Sequence, residues 1–370
     1  MNKLLLIGAL AAWLPFARAQ PTLNIAPAGD RSVLFYSATP TNYILQSTTN
    51  LSSTNWVTAT DAVVVTAVAV SNAFPAKFFR LLYTDPPAGM ALIPAGSFTI
   101  GNSIGDSDIT DAIPTNVYVS AFYMDINLVT LILWQSVHTY ATGVGYSFSN
   151  AGAGKATNHP VQTVSWYDCV KWCNARSQQA GLTPVYFTSA GLTQVFTNGD
   201  SGTTVFANWT ANGYRLPTEA EWEKAARGGL NGRRFPWGNL ISGNQANYVG
   251  NTALNYDLGP NGTNATGLIG GSPFTSPVGS FDVNGYGLYD MAGNVFEWCW
   301  DWQGGVPYQA GSPYLGGTDP RGPAQTANRK IERGSSWAFG TASFARTAYR
   351  TFFNPVNATN NIGFRCVKGL

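Results

Sequence analysis

Four cysteines and two histidines are the residues of this chain best suited to redox or metal chemistry. They are Cys169, Cys173, Cys299 and Cys366, with His138 and His159. No two cysteines form a C-x-x-C pair, so their spacing does not indicate a zinc ribbon or a thioredoxin-like site. Two histidines are too few for a histidine-rich metal cage. The cysteines are therefore either two disulfides of an exported protein or buried free thiols.

Three glutamates in the segment GYRLPTEAEWEKAARGG (213–229) could in principle perform acid–base catalysis. The same segment predicts a helix, because Thr218 is a good N-cap and Glu221 completes a capping box. Glu219, Glu221 and Glu223 then lie in the first turns, where negative charge favours the helix dipole. We therefore interpret the three glutamates as helix-stabilising rather than catalytic.

A second helix is predicted from about Trp166 to Ala180, and Cys169 and Cys173 share one face of it because they are four residues apart. Gly (40), Trp (12), Tyr (17) and Phe (20) are abundant, which is typical of a loop-rich fold with short strands. Charged residues make up 11% of the chain, against roughly 25% in an average domain. The net charge of +2 gives no attraction to nucleic acid.

The N-terminal part of the chain predicts an export signal and a small accessory module. Residues 1–19 combine Lys3, an apolar run and the sequence ARA, which is typical of a cleaved signal peptide of a secreted, periplasmic or cell-surface protein. The apolar run is shorter than the roughly 20 residues that cross a membrane, so no membrane span is expected. Residues 20–85 predict an all-β module of about five strands, 86–89 a linker, and 90–370 a second domain.

Seven segments between Gly89 and Val367 resemble the sulfatase-modifying-factor family, which comprises the formylglycine-generating enzymes and their relatives. In order they are GMALIPAGSFTIGN, AFYMD, HPVQTVSWYD, GYRLPTEAEWEKAARGG, FPWGN, SPVGSFDVNGYGLYDMAGNVFEW and NIGFRCV. Several long motifs in the right order are more specific than one short pattern. The resemblance implies a C-type-lectin-like α+β fold with little regular secondary structure.

The resemblance also identifies the segment RGSSWAFGTASFARTAYRTFF (333–353) as the family's catalytic loop. The best-known members oxidise a sulfatase cysteine to formylglycine with O₂. They use two Cu(I)-binding cysteines, three and eight residues after the serine of a GGS motif. Ser336 matches that serine, so the two positions are Phe339 and Phe344. Since a phenyl ring supplies no thiolate for copper, we expect no bound copper, no catalytic residue and no formylglycine-generating activity.

A structural disulfide is also implied by the resemblance. Cys173 and Cys366 match family positions that form a disulfide. Cys169 and Cys299 are left over, and a second bridge between them stays open because sequence separation does not show whether their Cβ atoms meet.

Structural calcium is the cofactor that the resemblance implies. Asp290, Gly293, Val295 and Glu297 match one calcium site of the family, with two carboxylates and two backbone carbonyls as hard oxygen ligands. Asn247 and Tyr248 match part of a second site. The aspartate expected before SPVG is missing there, and Asp257 is at best a distant substitute. A solvated turn is the alternative interpretation of the first site.

The aromatic residues of the loop predict a ligand surface. We expect Trp337 and Tyr349 to be buried and assign ligand contact to Phe339, Phe344, Phe352 and Phe353. Arg346 and Arg350 are expected to anchor the loop to backbone carbonyls. Residues 338–360 use only residue types that an Asn codon reaches by changing adenines, so the segment resembles a diversified variable region.

Three functions are compatible with these features. The first is an exported binding module for a protein, peptide or glycan, acting through the loop at residues 338–353. The second is an enzyme of the family that uses a different chemistry in the same cleft. The third is a structural envelope protein. Copper loading, ligand binding and self-association would distinguish the three.

Overall fold

The computed structural model describes residues 86–370, apart from 265–270, 307 and 326–327, and seven strands within residues 1–85. The predicted signal peptide lies outside the described residues. Two compact units are present. One contains Met1–Pro87 and Pro94–Ser97, and the other contains Ala88–Ile93 and Phe98–Leu370. Among the described residues, no helix combines the length and apolar character needed to span a bilayer.

The seven strands of the N-terminal stretch form two antiparallel sheets. One sheet has the strand order β1-β2-β6-β5 and the other has the order β4-β3-β7. The strands are β1 Leu23–Ala28, β2 Arg31–Tyr36, β3 Tyr43–Thr48, β4 Val57–Thr58, β5 Val63–Val64, β6 Ala67–Ser71 and β7 Phe78–Tyr83. An all-β stretch was expected here, with about five strands rather than seven.

Three α-helices and one 3₁₀ helix lie in the described part of residues 90–370. They are α1 Leu131–Gly143, α2 Trp166–Gln179, α3 Glu219–Arg227 and the 3₁₀ helix Pro313–Leu315. Ser165 begins α2 and Thr218 begins α3, and both N-caps form complete capping boxes. The sequence predicted α2 to within one residue, and α3 ends as expected at Gly228 in a left-handed conformation.

Fourteen short strands complete the described part of this region. They are β8 Met90–Ile93, β9 Gly96–Ile100, β10 Thr115–Val119, β11 Phe122–Asp125, β12 Tyr186–Phe187, β13 Phe206–Ala207, β14 Val249–Gly250, β15 Gly262–Thr263, β16 Phe296–Trp302, β17 Gly317–Thr318, β18 Lys330–Arg333, β19 Thr351–Phe353, β20 Ile362–Gly363 and β21 Val367–Gly369. The larger sheets have the orders β19-β18-β16-β20, β21-β11-β8 and β17-β10-β9. The predicted α+β class with little regular structure is confirmed.

Two clusters of buried side chains form most of the core in this region. The first includes the fully buried Trp134 of α1, Trp172 of α2 and Trp298 of β16. The rings of Trp134 and Trp172 are parallel, with centroids 5.8 Å apart. The second cluster includes Trp222 of α3 and Ile331 of β18. Strands β16 and β18 thus have a core on each face. The loop at 334–350 connects β18 to β19 and packs Phe344 against the first cluster and Tyr349 against the second.

Candidate functional site

The loop leaves β18 through a tight turn that fixes Ser336. Gly334 and Ser335 have φ angles of 92° and 71°, a left-handed conformation that non-glycine residues rarely adopt. The Ser336 side chain is buried, and its Oγ accepts hydrogen bonds from the backbone N–H groups of Ala338 (3.3 Å) and Phe339 (3.2 Å). The serine therefore holds the next three residues in one conformation and directs the chain toward Phe339.

Three aromatic rings, Phe339, Phe344 and Tyr349, form a continuous aromatic stack. Phe339 and Phe344 meet edge to face at 5.8 Å, and Phe344 lies nearly parallel to Tyr349 at 4.2 Å. Phe339 is 61% exposed, whereas the other two are partly buried. Gly340 has a φ of 90°, and a Cβ there would lie 2.1 Å from the Phe344 ring. The stack thus depends on a glycine at position 340.

The positions expected for the other aromatic residues are partly wrong. Trp337 is buried as predicted, and its Nε1 donates to the carbonyl of Asn360 at 3.2 Å. Tyr349 is not fully buried. Phe352 and Phe353 are neighbours in β19 and therefore point to opposite faces of the strand. Phe352 packs against the second core cluster and Phe353 against the first, so the two rings do not share one ligand surface.

Two arginines anchor the loop, but to carboxylates rather than to the expected carbonyls. Arg346 pairs with Asp108 and with Asp106, at 3.1 Å for the latter. Arg350 forms a two-pronged pair with Glu219, at 2.8 and 2.9 Å. Both arginines are at least nine-tenths buried. A guanidinium with two hydrogen bonds to one carboxylate has a fixed orientation, so the loop base is rigid.

The glutamates of α3 form a buried ion-pair network in addition to stabilising the helix. Arg333 of β18 donates to Glu219 (3.1 Å) and to Glu223 (2.5 Å). Burial alone would raise the pKa of Glu219, but the adjacent Arg350 and Arg333 hold it below its usual value. The helix-dipole interpretation was incomplete, because the sequence pattern of α3 does not show that arginines from β18 and the loop meet it.

Glu332 is the exception among the carboxylates near the loop. It lies on β18 opposite Thr351 of β19, it is 3% exposed, and its Oε1 has no hydrogen-bond partner. Burial raises the pKa of Glu332 to about 8. The carboxyl group is therefore largely protonated at neutral pH. No sequence pattern indicates this property of Glu332, since a Glu next to Arg333 suggests an ion pair.

All four cysteines are buried free thiols in the structure. Cys173 Sγ and Cys366 Sγ are 3.5 Å apart, close enough that small side-chain rotations would allow a bond. Cys169 belongs to the first core cluster and Cys299 to the second. Burial raises the pKa of Cys169, Cys173 and Cys299 well above the usual value, which disfavours the thiolate form that binds copper. Both disulfides stay predictions.

The two histidines do not come together with other ligands. His159 Nδ1 lies 2.9 Å from Thr275 Oγ1, and the His138 ring packs on Phe148 at 4.6 Å. Burial lowers the pKa of each histidine. Among the residues that the structure describes, no three His, Cys, Asp or Glu side chains gather as a metal site would require.

The predicted calcium loop is a buried turn with two carboxylates. Asp290 Oδ2 accepts from the backbone of Gly279 at 2.9 Å, while its Oδ1 has only a long contact to Asn294 at 3.4 Å. Burial raises the pKa of Asp290. Glu297 is fully buried and paired through both oxygens with Arg365, at 2.7 and 3.0 Å. Asp290 therefore fits a cation, whereas Glu297 is already neutralised by Arg365.

The residues of the other predicted calcium site are buried close to this turn. Asn247 accepts a hydrogen bond from the backbone of Asn294 at 2.7 Å through its carbonyl, and its side-chain Oδ1 is buried without a partner. A buried, unpaired amide oxygen suits a cation ligand. Asp257 is not a substitute ligand, because it accepts from the Tyr248 hydroxyl (2.6 Å) and the Gly259 backbone (2.9 Å). Calcium stays a prediction at both places.

Comparison with known proteins gives one consistent family. The family model for the sulfatase-modifying factor enzyme 1-like domain matches residues 80–370. The formylglycine-generating enzyme of Thermomonospora curvata is 35% identical over 214 residues, which are 56% of this chain and 55% of that protein. The inactive C-alpha-formylglycine-generating enzyme 2 of Bos taurus is 31% identical over 305 residues, 76% of this chain and 88% of that protein.

Solved structures agree with these sequence matches. Treponema denticola variable protein 1 is 29% identical with a TM-score of 0.58, and the match covers 76% of this chain and 95% of that one. The predicted lectin-like fold is therefore confirmed. The chain spans about half the length of the Thermomonospora enzyme, so that protein's activity does not transfer with the fold.

Proposed function

Because the chain belongs to the sulfatase-modifying-factor family, we propose that it is an exported, non-catalytic member that binds a protein, peptide or glycan through its aromatic stack. The observation that carries the proposal is Phe339, which is 61% exposed at the end of a stack whose base is buried. It occupies the first of the two positions at which the family's copper-binding cysteines are expected.

The geometry of the stack favours binding for a physical reason. An aromatic ring presents a large contact area with few rotatable bonds, so little entropy is lost when a ligand covers it. The edge-to-face contact with Phe344 and the buried pairs of Arg346 and Arg350 hold Phe339 in place before a ligand arrives. A pre-positioned surface avoids part of the ordering cost of association.

The names of the relatives support both catalytic and non-catalytic roles for the fold. One relative is named a formylglycine-generating enzyme and another an inactive one. A third is named a variable protein, and with the restricted composition of residues 338–360 it leads us to propose a diversified variable region here. Two phenylalanines in place of thiols favour the inactive alternative, because oxidation with Cu(I) requires thiolate ligands.

The first test measures oxidation directly. The full chain is incubated with Cu(I), O₂ and a peptide that carries a sulfatase-type cysteine motif, and aldehyde formation is followed by mass spectrometry. We expect no aldehyde above a control without protein. Aldehyde formation above that control would contradict the proposal.

The second test measures binding through the stack. Glycan and peptide arrays are probed with the wild type, with Phe339→Ser and with Leu258→Ser, a control at another strongly exposed apolar position (64%). We expect hits that Phe339→Ser loses and Leu258→Ser keeps, with unchanged melting temperatures for both variants. Hits that survive Phe339→Ser, or arrays without hits, would count against the stack as the ligand surface.

We also propose that calcium has a structural role at Asp290 and the carbonyls of Gly293 and Val295. Glu297 would be a further ligand, and Arg365 would share its carboxylate with the calcium. The supporting observation is the long contact at Asp290 Oδ1, together with the unpaired Oδ1 of Asn247 nearby. Calcium bound there would supply positive charge to a buried carboxylate and link the turn to the Asn247 segment.

A further inference from the structure

A cavity of about 240 Å³ lies at the start of α3, and none of its lining residues belongs to the aromatic loop. Its walls come from the turn between β10 and β11, the segment before α3 and the residues after β17. The side chains used in the argument are Ser120, Trp209, Arg215, Glu221, Asp319 and Arg321. Since β10 and β17 are parallel, their carboxyl ends meet at this cavity.

The two carboxylates of the cavity are already satisfied by protein groups. Glu221 forms a two-pronged pair with Arg215, with both distances 2.6 Å. Asp319 accepts from the Ser120 backbone at 2.6 Å and from the Ser120 hydroxyl at 2.7 Å. Glu221 Oε2 also accepts from the Thr218 backbone N–H at 2.9 Å, so both of its lone pairs are used. Glu221 Oε1 and the two Asp319 oxygens each retain a lone pair that can accept from a ligand hydroxyl.

Arg321 has no such partner. No carboxylate of the described residues lies within ion-pair distance of it, and its guanidinium lies over the Trp209 ring at 4.4 Å. Arg215 lies over the same ring at 5.2 Å, and Trp300 fixes the ring edge to face at 5.5 Å. Burial lowers the pKa of Arg321. Asp319 opposes this effect and Arg215 adds to it. Because Glu221 already pairs with Arg215, the guanidinium of Arg321 is the group at this cavity that is available to pair with an anion.

The buried Lys224 adds little positive charge near the cavity. It donates to the carbonyl of Val119 at 3.3 Å, and burial lowers the pKa of Lys224 to about 7 against the smaller opposing effect of Asp319. The N-terminus of α3 adds a partial positive charge at Thr218. The charged side chains that line the cavity are therefore two arginines and two carboxylates, and Arg215 is already paired with Glu221.

We propose that this cavity binds a small hydroxylated carboxylic acid, with its carboxylate on Arg321 and its hydroxyls donating to Asp319 and Glu221. A guanidinium fits a planar carboxylate with two parallel hydrogen bonds. A cavity of about 240 Å³ holds about eight waters at roughly 30 Å³ each and is smaller than a typical drug site. It accommodates one sugar acid such as a uronic acid, and the site is independent of the aromatic stack.

The experiment titrates the full chain with D-galacturonate by isothermal calorimetry, with D-galactose and propionate as matched probes. Galactose retains the hydroxyls without the carboxylate, and propionate retains the carboxylate without the hydroxyls. We expect saturable binding of galacturonate and at least about tenfold weaker binding of the other two. No saturation with galacturonate up to about 50 mM, or equal binding of propionate, would overturn the assignment.

Variants then locate the site. Arg321→Gln should weaken galacturonate binding at least about tenfold, since a charge-assisted pair is lost. Arg233→Gln removes the same charge from an exposed residue outside the cavity and should leave the affinity unchanged. Both arginines are exposed, so melting temperatures should not differ from the wild type. Equal affinity of Arg321→Gln and wild type would place the ligand elsewhere and refute the proposal.

Discussion

Two turns of residues 90–370 match the family's motifs but differ in what they expose. The turn at 290–297 is buried throughout, and its three positive φ angles at Asp290, Gly293 and Asn294 hold its polar groups inward. The loop at 334–350 has an equally buried base, with Arg346 and Arg350 in ion pairs. Its tip, however, presents Phe339 to solvent.

The anchoring contacts and the proposed ligand contacts therefore lie on separate residues of the loop. The arginines at its base bind carboxylates of α3 and of the segment near Asp106, and none of these contacts involves Phe339 or Phe344. Side chains at the tip can therefore change without loss of the loop's position. In the turn at 290–297, by contrast, the groups that would bind a ligand also hold the fold.

Removing Glu219, the carboxylate that anchors Arg350, should give the largest loss of stability. Glu219→Ala leaves Arg350 buried without its carboxylate and removes one partner of Arg333. Breaking a buried pair in this way costs about 3–5 kcal/mol, which urea unfolding measures. Asp282→Ala, at an exposed position, is the control and should change stability little. A loss under about 1 kcal/mol for Glu219→Ala would show that the loop is not anchored by charge.

The predicted disulfide tests how the segment between β20 and β21, which carries Arg365, is held. Cys366 follows Arg365, whose pair with Glu297 fixes the buried turn. In protein from an oxidising compartment, peptide mapping without reductant should recover Cys173 linked to Cys366. Reduction should then lower stability by about 2–5 kcal/mol. Two alkylatable thiols at these positions would contradict the pairing.

The pH dependence of the free energy of unfolding should reveal the raised pKa of Glu332. Its folded pKa of about 8 lies above its unfolded value, so the folded state binds the proton more tightly. The stabilisation is fully present below the unfolded pKa and is lost as pH rises toward 8, with a slope of at most about 1.4 kcal/mol per pH unit. Glu332→Gln should remove this loss. Parallel stability curves for the two proteins between pH 5 and 8 would show that the carboxyl is solvated.

Calcium should stabilise the buried turn at 290–297 and should have no effect on the loop at 334–350. Bound calcium raises stability by RT ln(1 + [L]/Kd), about 2.7 kcal/mol at a hundredfold excess. EDTA should therefore lower the melting temperature of the wild type but not of Asp290→Asn. Asp290→Asn is a better variant than Glu297→Ala, because Glu297→Ala leaves Arg365 unpaired in the core. An EDTA-insensitive wild type would speak against the site.

The smallest expected effect is at the glycine beneath the stack. Gly340→Ala places a Cβ against the Phe344 ring, whereas Gly145→Ala has nearly the same φ, 92° against 90°, and nothing within 4 Å. Both variants should lose about 1 kcal/mol from backbone strain, and in Gly340→Ala alone the Phe344 ring must also move aside for the new Cβ. Only Gly340→Ala should also change binding to array hits. Equal binding by both variants would show that Phe344 does not position Phe339.

The sequence predicted the fold well because motifs and caps act locally. The capping boxes at Ser165 and Thr218 begin α2 and α3, and the α+β class was implied by the family's motifs. The site was predicted only in part. Alternation along β19 separates Phe352 from Phe353, yet the predicted surface included both. The partners of Arg346 and Arg350 lie more than 100 residues away in sequence, so no local pattern could identify them.

The burial of charge beneath the loop also affects how a partner would approach. Residues 86–370 contain 32 Lys, Arg, Asp and Glu residues, and 18 of them are buried. In this region the buried charges do little to attract or orient a macromolecule over a Debye length of about 8 Å. Encounter with a partner should then proceed at the unsteered rate of about 10⁵–10⁶ M⁻¹s⁻¹, almost independent of salt. Selection among partners would depend on how long each complex survives.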